Sequence, residues 1–439
     1  MFEDLLSDGK FVSAIGAFTY KPLLQTGEKT GKLWKNYRQA CTFFKNQVEV
    51  EGLERLEQLA SVLLDNMSVV QIVVKNPIDG PKIFDSLNSR QEPMTIGDLV
   101  RNEVFARIAN EAPDVMEAVD QQSWQPFYKK FQYQNTNHFD TYFFPYGLIR
   151  DSSIKKSEVY EMLRVSWKKI SDPDLIVTQL KEYQDAFLDI QCGTNLQKHS
   201  DGVFQAFRRL YDAKIPGATF PFLMKLSNAI KEGAVSGELG IRTLKLIESF
   251  LVRRAICGHE PTGLHAVFKK LWFDVDENPD PKLVEKEIRN HSTVVWPTDE
   301  AVRNAVLARP LYGTNITPYI LSQWNLSFGG DQPSTTMWVE HILPQKPSEV
   351  WENDFSKEEA ERLKHLLGNL LPLSKEMNLD VGRREYSFKR EIYKEDSGYK
   401  ATRAFAKANK KWTPDELSKR SVELADWVIG RWPEKATEM

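Results

Sequence analysis

The stretch Trp338-Val339-Glu340-His341-Ile342-Leu343-Pro344-Gln345 sets an acid beside a histidine, and Gly368-Asn369-Leu370 and Asn378 follow it. A histidine offers a neutral imidazole near pH 7, able to take a proton from water. Carboxylate and amide oxygens are the ligands that a hard divalent cation accepts. With two asparagines nine residues apart, the set contains the parts of a one-metal phosphodiesterase. No other segment of the 439 residues suggests a chemistry so directly.

Each of these residues also has an ordinary reading. A single histidine among apolar neighbours is usually a hydrogen-bonded core residue. Asparagine after glycine is a common turn residue, and asparagine on a helix is an unremarked polar position. The ordered set is what favours catalysis. His365 competes as the base, but its place among Leu363, Leu366 and Leu367 favours a structural role.

The elements that carry this set read as mainly helical. A chain of 439 residues has room for two or three domains, and 41% hydrophobic with 27% charged residues describes an ordinary folded protein. Residues 1–150 look mainly helical, with Leu53, Leu56, Leu59, Leu63 and Leu64 on one face, followed by a lone β-branched strand at Val69–Val74. Residues 151–300 read as a helical bundle. Asp172-Pro173 opens a helix whose buried face is Ile176, Leu180, Tyr183, Phe187 and Ile190. A further helix over 241–256 stops at Gly258, and Arg253-Arg254 near its end offer a phosphate contact, with bridging to a neighbour or stabilising the C-terminus the favoured reading. Asp274 to Pro281 reads as a surface loop. Gly329 to Ser334 is a flexible lead into the unit at 301–439, which closes on Thr413-Pro414-Asp415-Glu416, a capping box, with Leu417, Leu424 and Val428 as the apolar face and Trp427 and Trp432 clamping it.

Composition excludes several classes. The longest apolar run is too short to span a membrane, and Met1–Lys10 lacks the form of a secretory leader. Cys41, Cys192 and Cys257 have no zinc spacing and read as reduced thiols of a cytoplasmic protein. A net charge of −3 rules out a globally basic nucleic-acid binder. From Arg383 to Lys411, however, ten basic residues face four acids. Such a stripe tracks a phosphate backbone or is simply a solvated helix surface.

Glu340-His341-Ile342-Leu343-Pro344-Gln345, Gly368-Asn369-Leu370, Asn378, Phe388-Lys389, Tyr393 and Trp412-Thr413 together resemble the HNH (His-Me finger) nuclease domain of GmrSD-type modification-dependent restriction enzymes and SspE-like phage-defence proteins. Upstream, Ile83 to Arg90 and Leu99-Val100-Arg101-Asn102 look like the closing motif of the ParB-like, nucleotide-using sensor fused to such nucleases, and Leu251-Val252-Arg253-Arg254 is similar to their helical middle. The Asp-Gly-Gln-Gln-Arg signature of the sensor is not found here. The chain therefore reads as an incomplete sensor, with Val69–Val74 lacking sheet partners, joined to a nuclease. Asn88, Arg90 and Arg101 read as structural in this chain, and no cofactor-binding residue is assigned.

The resemblance implies a ββα-metal fold for the nuclease, with Trp338 to His341 and Leu370 to Leu373 as strands and Ser374 capping a helix that bears Asn378. It implies His341 as general base, Asn369 as the residue that ties the hairpin loop and orients it, and Glu340 and Asn378 as ligands of Mg2+ or Mn2+. A flat strand sends Glu340 and His341 to opposite faces, so one site for both needs a twisted or bulged strand end. Lys389, Arg390, Arg383 and Arg384 are the expected DNA contacts. The implied substrate is DNA, including modified phage DNA, in anti-phage restriction, and nucleotide is expected only for a full-length sensor. Self-association or contact with the missing sensor half is the expected protein partner. The other reading is a DNA-binding or partner-docking remnant that no longer cuts.

Overall fold

The computed structural model describes residues 32–65, 94–111, 113–170, 172–329 and 336–438. The expected strand at Val69–Val74, the Ile83–Arg90 motif, the Met1–Lys10 segment and most of the Gly329–Ser334 lead lie outside these residues. The chain divides into Met1–Pro77 and Ile78–Met439. In the first unit, α1 (Lys32–Glu51) and α2 (Leu53–Asp65) are joined by Gly52 alone, and α2 carries the leucines anticipated from their spacing.

In the second unit helices again dominate. The aromatic residues between α3 (Ile96–Glu111) and α4 (Phe139–Arg150) make its first core: Trp124, Phe127, Phe131, Phe139 and Tyr142 pack edge to face. A two-residue hairpin, β1 (Gln132–Tyr133) with β2 (Thr136–Asn137), sits between them. Asp172 caps α5 (Pro173–Lys181) by accepting the Asp174 N–H at 2.9 Å, and Pro173 fills the first turn, as the sequence indicates. The single helix expected through Ile190 is in fact two. The chain breaks at Glu182-Tyr183, and α6 (Gln184–Cys192) starts again from there. Glu182 is drawn to Arg150 at 2.5 Å and Gln184 reaches the Phe127 carbonyl, so tertiary contacts outweigh the unbroken apolar period.

Next come α7 (Asp201–Asp212), α8 (Phe220–Lys231) and α9 (Gly237–Cys257), which ends at Gly258 as anticipated. The loop at 275–280 leads to α10 (Pro281–Asn290), then α11 (Asp299–Ala308) and α12 (Ile316–Ser327). Arg253 on α9 is fully buried and bridges rather than meeting a phosphate. It donates to the carbonyls of Pro297 and Trp432 and pairs with Asp299.

The remaining elements surround a second antiparallel hairpin, β3 (Met337–His341) with β4 (Leu370–Ser374). Between its strands lies α13 (Lys357–Leu363), and after it come α14 (Lys375–Val381), α15 (Tyr386–Glu395), α16 (Lys400–Ala408) and α17 (Pro414–Arg431). One hairpin face, with Met337, Val339 and Leu370, joins the core built from Val252 of α9, α11, α12 and the Leu424, Val428 and Trp432 of the α17 region. The other face, with Leu371 and Leu373, packs on Tyr386, Tyr393, Phe405 and Trp412. The helices on both sides of residue 301 thus share one core. The capping box at Thr413 is incomplete: its hydroxyl donates to Glu416 instead of accepting a backbone N–H.

Candidate active site

The hairpin register runs without a bulge from Met337 opposite Ser374 to His341 opposite Leu370. Consecutive side chains therefore alternate, and no bulge turns Glu340 and His341 the same way. Their surroundings differ accordingly. Glu340 lies toward α15: its Oε1 accepts from Lys389 Nζ at 2.7 Å and from Tyr393 Oη at 2.6 Å. Lys389 and Tyr393 are four residues apart on α15 and so occupy one helix face. Both are fully buried. Burial pushes the Glu340 carboxyl up and the Lys389 ammonium down, and each charge opposes the shift of the other.

His341 points the other way. Its Nε2 is 3.1 Å from His365 Nδ1, and the Tyr312 ring stands edge-on at 4.2 Å while stacking flat on His365. His341 is 6% exposed, and its pKa is pushed down to about 3, first by burial and then by the charges of His365, Lys389 and Lys364. The imidazole is neutral throughout the physiological range. His365, half-buried, has the structural contact that its leucine neighbours left unnamed. It is the partner of His341, and its carbonyl also accepts the backbone N–H groups of Leu311 and Tyr312. Nothing local in the sequence marks this pair, because 24 residues separate its members.

Asn369 is fully buried and saturated. Its Oδ1 accepts from Leu343 N at 2.8 Å and Trp412 Nε1 at 3.2 Å, and its Nδ2 donates to the carbonyls of Leu343 and Lys364, both at 2.8 Å. Its own carbonyl receives Ile342 N. The two residues that follow His341 are thus pinned to the opposite strand, while Lys389 holds the His341 carbonyl at 2.8 Å. Asn369 ties the loop together and does not itself face a reactant. Gly368 before it has a steric reason: a Cβ there would fall 3.1 Å from the Leu417 carbonyl of α17 and closer still to the Ser421 hydroxyl.

Ser374 caps α14 by accepting the Met377 N–H at 3.3 Å, and Asn378 sits on that helix as anticipated. Its Nδ2 is buried without a hydrogen-bond partner. Among the described residues no three His, Cys, Asp or Glu side chains cluster as a metal site.

The expected DNA contacts need correction. Lys389 has no exposed surface, because its ammonium is committed to Glu340 and the His341 carbonyl. Arg390 is occupied by the Asn409 carbonyl and Glu391. Arg383 and Arg384 are exposed, the latter lying over the Phe388 ring at 4.1 Å. Elsewhere in the stripe Lys394 pairs with Glu391 and Glu395, and Arg403 bonds the Ser397 carbonyl, leaving Lys407 and Lys410 exposed.

Residues 296–427 match the family model described as GmrSD restriction endonucleases, C-terminal domain. The C-terminal part of this chain is of the GmrSD type. No curated protein matches the chain. The GmrSD-type part takes in α11 and α12 as well as the hairpin and its helices, so His341, His365, Asn369, Asn378 and Tyr312 all fall inside it. Among the described residues no helix is long and apolar enough to cross a membrane.

Proposed function

We propose that the GmrSD-type part hydrolyses DNA phosphodiesters in anti-phage restriction in the cytoplasm, with His341 as the general base. The observation that carries this reading is the place of His341, at the end of β3 inside the GmrSD match with its Nε2 3.1 Å from His365 Nδ1. The role fixes the tautomer. Nε2–H donates to His365 Nδ1, so that the Nδ1 lone pair is left to take the proton of an attacking water. Asn369 and Lys389 fix the backbone on either side of that ring and so limit its movement.

The expected divalent ion is compatible with the side chains around the hairpin. The two side-chain hydrogen bonds to Glu340, from Lys389 and Tyr393, both fall on Oε1, and the His341 backbone N–H also bonds the carboxylate. An anchored carboxylate of this kind is how protein partners orient a metal ligand. Exchanging the amide atoms of Asn378 puts an oxygen where Nδ2 is now buried and unpaired. Glu340 Oε2 and Asn378 Oδ1 would hold a magnesium or manganese ion, a sparse set that suits a cation retaining several waters; Glu340 leaves β3 on the face opposite His341, so the role of His341 as base stands without the ion. When bound, that ion supplies Lewis-acid stabilisation of the charge on the phosphate and the leaving oxygen. Arg383, Arg384, Lys407 and Lys410 are the cations left to meet the DNA backbone, and modified phage DNA is the proposed target. Nucleotide hydrolysis is not proposed for this chain.

The test is plasmid cleavage in magnesium or manganese, with the His341→Ala form beside the parent. Loss of the base should slow cleavage about 10²–10⁴-fold while DNA affinity survives. Asn378→Ala should shift the response to magnesium instead. Products should carry 5′-phosphates. Equal rates for the parent and the His341→Ala form would make His341 a structural residue. No cutting by the parent would leave the DNA-binding remnant as the better reading.

A further inference from the structure

A cavity of about 250 Å³ lies at the C-terminal end of α9, away from the hairpin. Its walls come from α9, from the segment after α7 and from the loop between α11 and α12. Val252, Leu264 and Ile316 give it an apolar side. Two guanidinium groups give it a cationic one.

Arg254 is 5% exposed and donates to the carbonyls of Val295 (2.7 Å) and Glu260 (2.8 Å), which leaves three of its five N–H groups, and its Nε is buried with no partner. Arg309 donates to the carbonyls of Ala255 (3.1 Å) and Ile256 (2.9 Å), covering the negative end of the α9 dipole. It lies flat against Gly258, where a Cβ would meet its guanidinium at 2.8 Å. Among the described residues neither arginine pairs with a carboxylate. A buried cation without a counter-ion is costly unless a ligand supplies one.

The acids that line the cavity do not cancel this charge. Glu248 is already held by Arg209 at 2.8 Å and Arg431 at 3.3 Å, and by the Tyr319 hydroxyl and Trp432 Nε1. Glu260 and Lys214 are both exposed at the rim and offset each other. His259, also at the rim, is pushed below its ordinary pKa by burial, Arg254 and Arg309, so it adds no charge near pH 7. The surplus is two positive charges, which suits a dianion better than a carboxylate. The volume suits one ring rather than a strand of nucleic acid.

We propose that this cavity binds a small organic phosphomonoester, with its phosphate on Arg254 and Arg309 and its body against Val252, Leu264 and Ile316. The loop that supplies Arg309 continues to Tyr312, which packs on both histidines of the candidate active site. The binding site stands on its own observations and does not depend on the nuclease reading.

Calorimetry on the full chain tests it with phenyl phosphate, inorganic phosphate and benzoate as probes. Phenyl phosphate should bind one to one and more tightly than either of the others. Arg309→Gln removes a charge-assisted bond and should weaken it about ten- to a hundredfold. Because Arg309 also caps α9, its melting temperature is measured alongside. Lys214→Glu, on the exposed rim, leaves the fold alone and should weaken binding about two- to fivefold through the local field. Saturable binding by none of the probes up to on the order of 10 mM would overturn the proposal. So would equal affinity for benzoate or inorganic phosphate, or binding that neither substitution changes.

Discussion

Replacing Lys389 with methionine isolates what the buried Lys389–Glu340 pair does. The substitution removes the charge and only one side-chain atom, leaving Glu340, 5% exposed, with the Tyr393 hydroxyl and the His341 backbone N–H. Breaking a buried pair from one side typically costs about 3–5 kcal/mol, whereas removing both charges is close to neutral. Over a unit the size of Ile78–Met439, at roughly 2.1 cal/mol/K per residue, the single change lowers Tm by about 4–7 °C. Lys389→Met with Glu340→Gln should recover most of that loss. The pH dependence has a definite sign. Burial already raises the Glu340 carboxyl, and losing Lys389 raises it further. A raised carboxyl contributes stability below its unfolded pKa and loses it as pH rises toward the folded one. The single variant should therefore recover on acidification from about pH 8 to about pH 5. Differential scanning calorimetry of the parent, both singles and the double at those two pH values reads the cycle. A double variant as unstable as the single would refute the reasoning, since the cost would then lie in packing and not in an orphaned charge.

Three further outcomes follow from the site. Asn369→Ala should cost about 2–5 kcal/mol, because Leu343 N–H and Trp412 Nε1 lose their acceptor in the core, and Asn369→Asp should do no better, since it sets a carboxylate oxygen against two carbonyls; chemical denaturation checks both. His341, depressed to about 3, contributes stability present above its unfolded value near 6.5 and lost as pH falls below it, at no more than about 1.4 kcal/mol per pH unit, so His341→Gln should show a flatter acid limb than the parent in pH-dependent melting. Reversing Arg383 and Lys410 together should weaken binding to all duplexes alike and lower the salt slope by about one for each phosphate no longer neutralised, whereas an unchanged slope in fluorescence titrations would mark them as solvated surface.

Much of the hairpin was legible through the resemblance carried by its motif residues. The resemblance placed Leu370 to Leu373 as a strand, Ser374 as a cap and Asn378 on a helix, and the structure has each of them. Asp172-Pro173 and Gly258 were legible because a cap and a stop are local signals. What the sequence hid is what distance in the chain decides. Lys389 looks like a surface cation because its neighbours are charged, yet its partner Glu340 is 49 residues away. The four-residue step to Tyr393 was the available clue, since it puts an ammonium and a phenol on the face that meets a carboxylate. His365 reads as structural, but its partner His341 is hidden by distance in the same way, and the break at Glu182 follows from Arg150, 32 residues upstream.

The short segment after α17 acts on elements far upstream. The Trp432 indole N–H donates to Glu248, the Trp432 carbonyl takes Arg253, and Pro433 accepts the Ser249 hydroxyl. Glu434 accepts the Asp299 N–H, and Glu285 receives Ala436 N. These residues form a clasp that closes the end of the chain over α9, α10 and α11. The boundaries of the family match, 296–427, therefore do not mark a piece that can be cut out intact. A fragment with those bounds would lack both the clasp and α9, and Asp299 would lose both Arg253 and Glu434. Anyone expressing the GmrSD-type part alone should carry the chain through Ala436 and include α9.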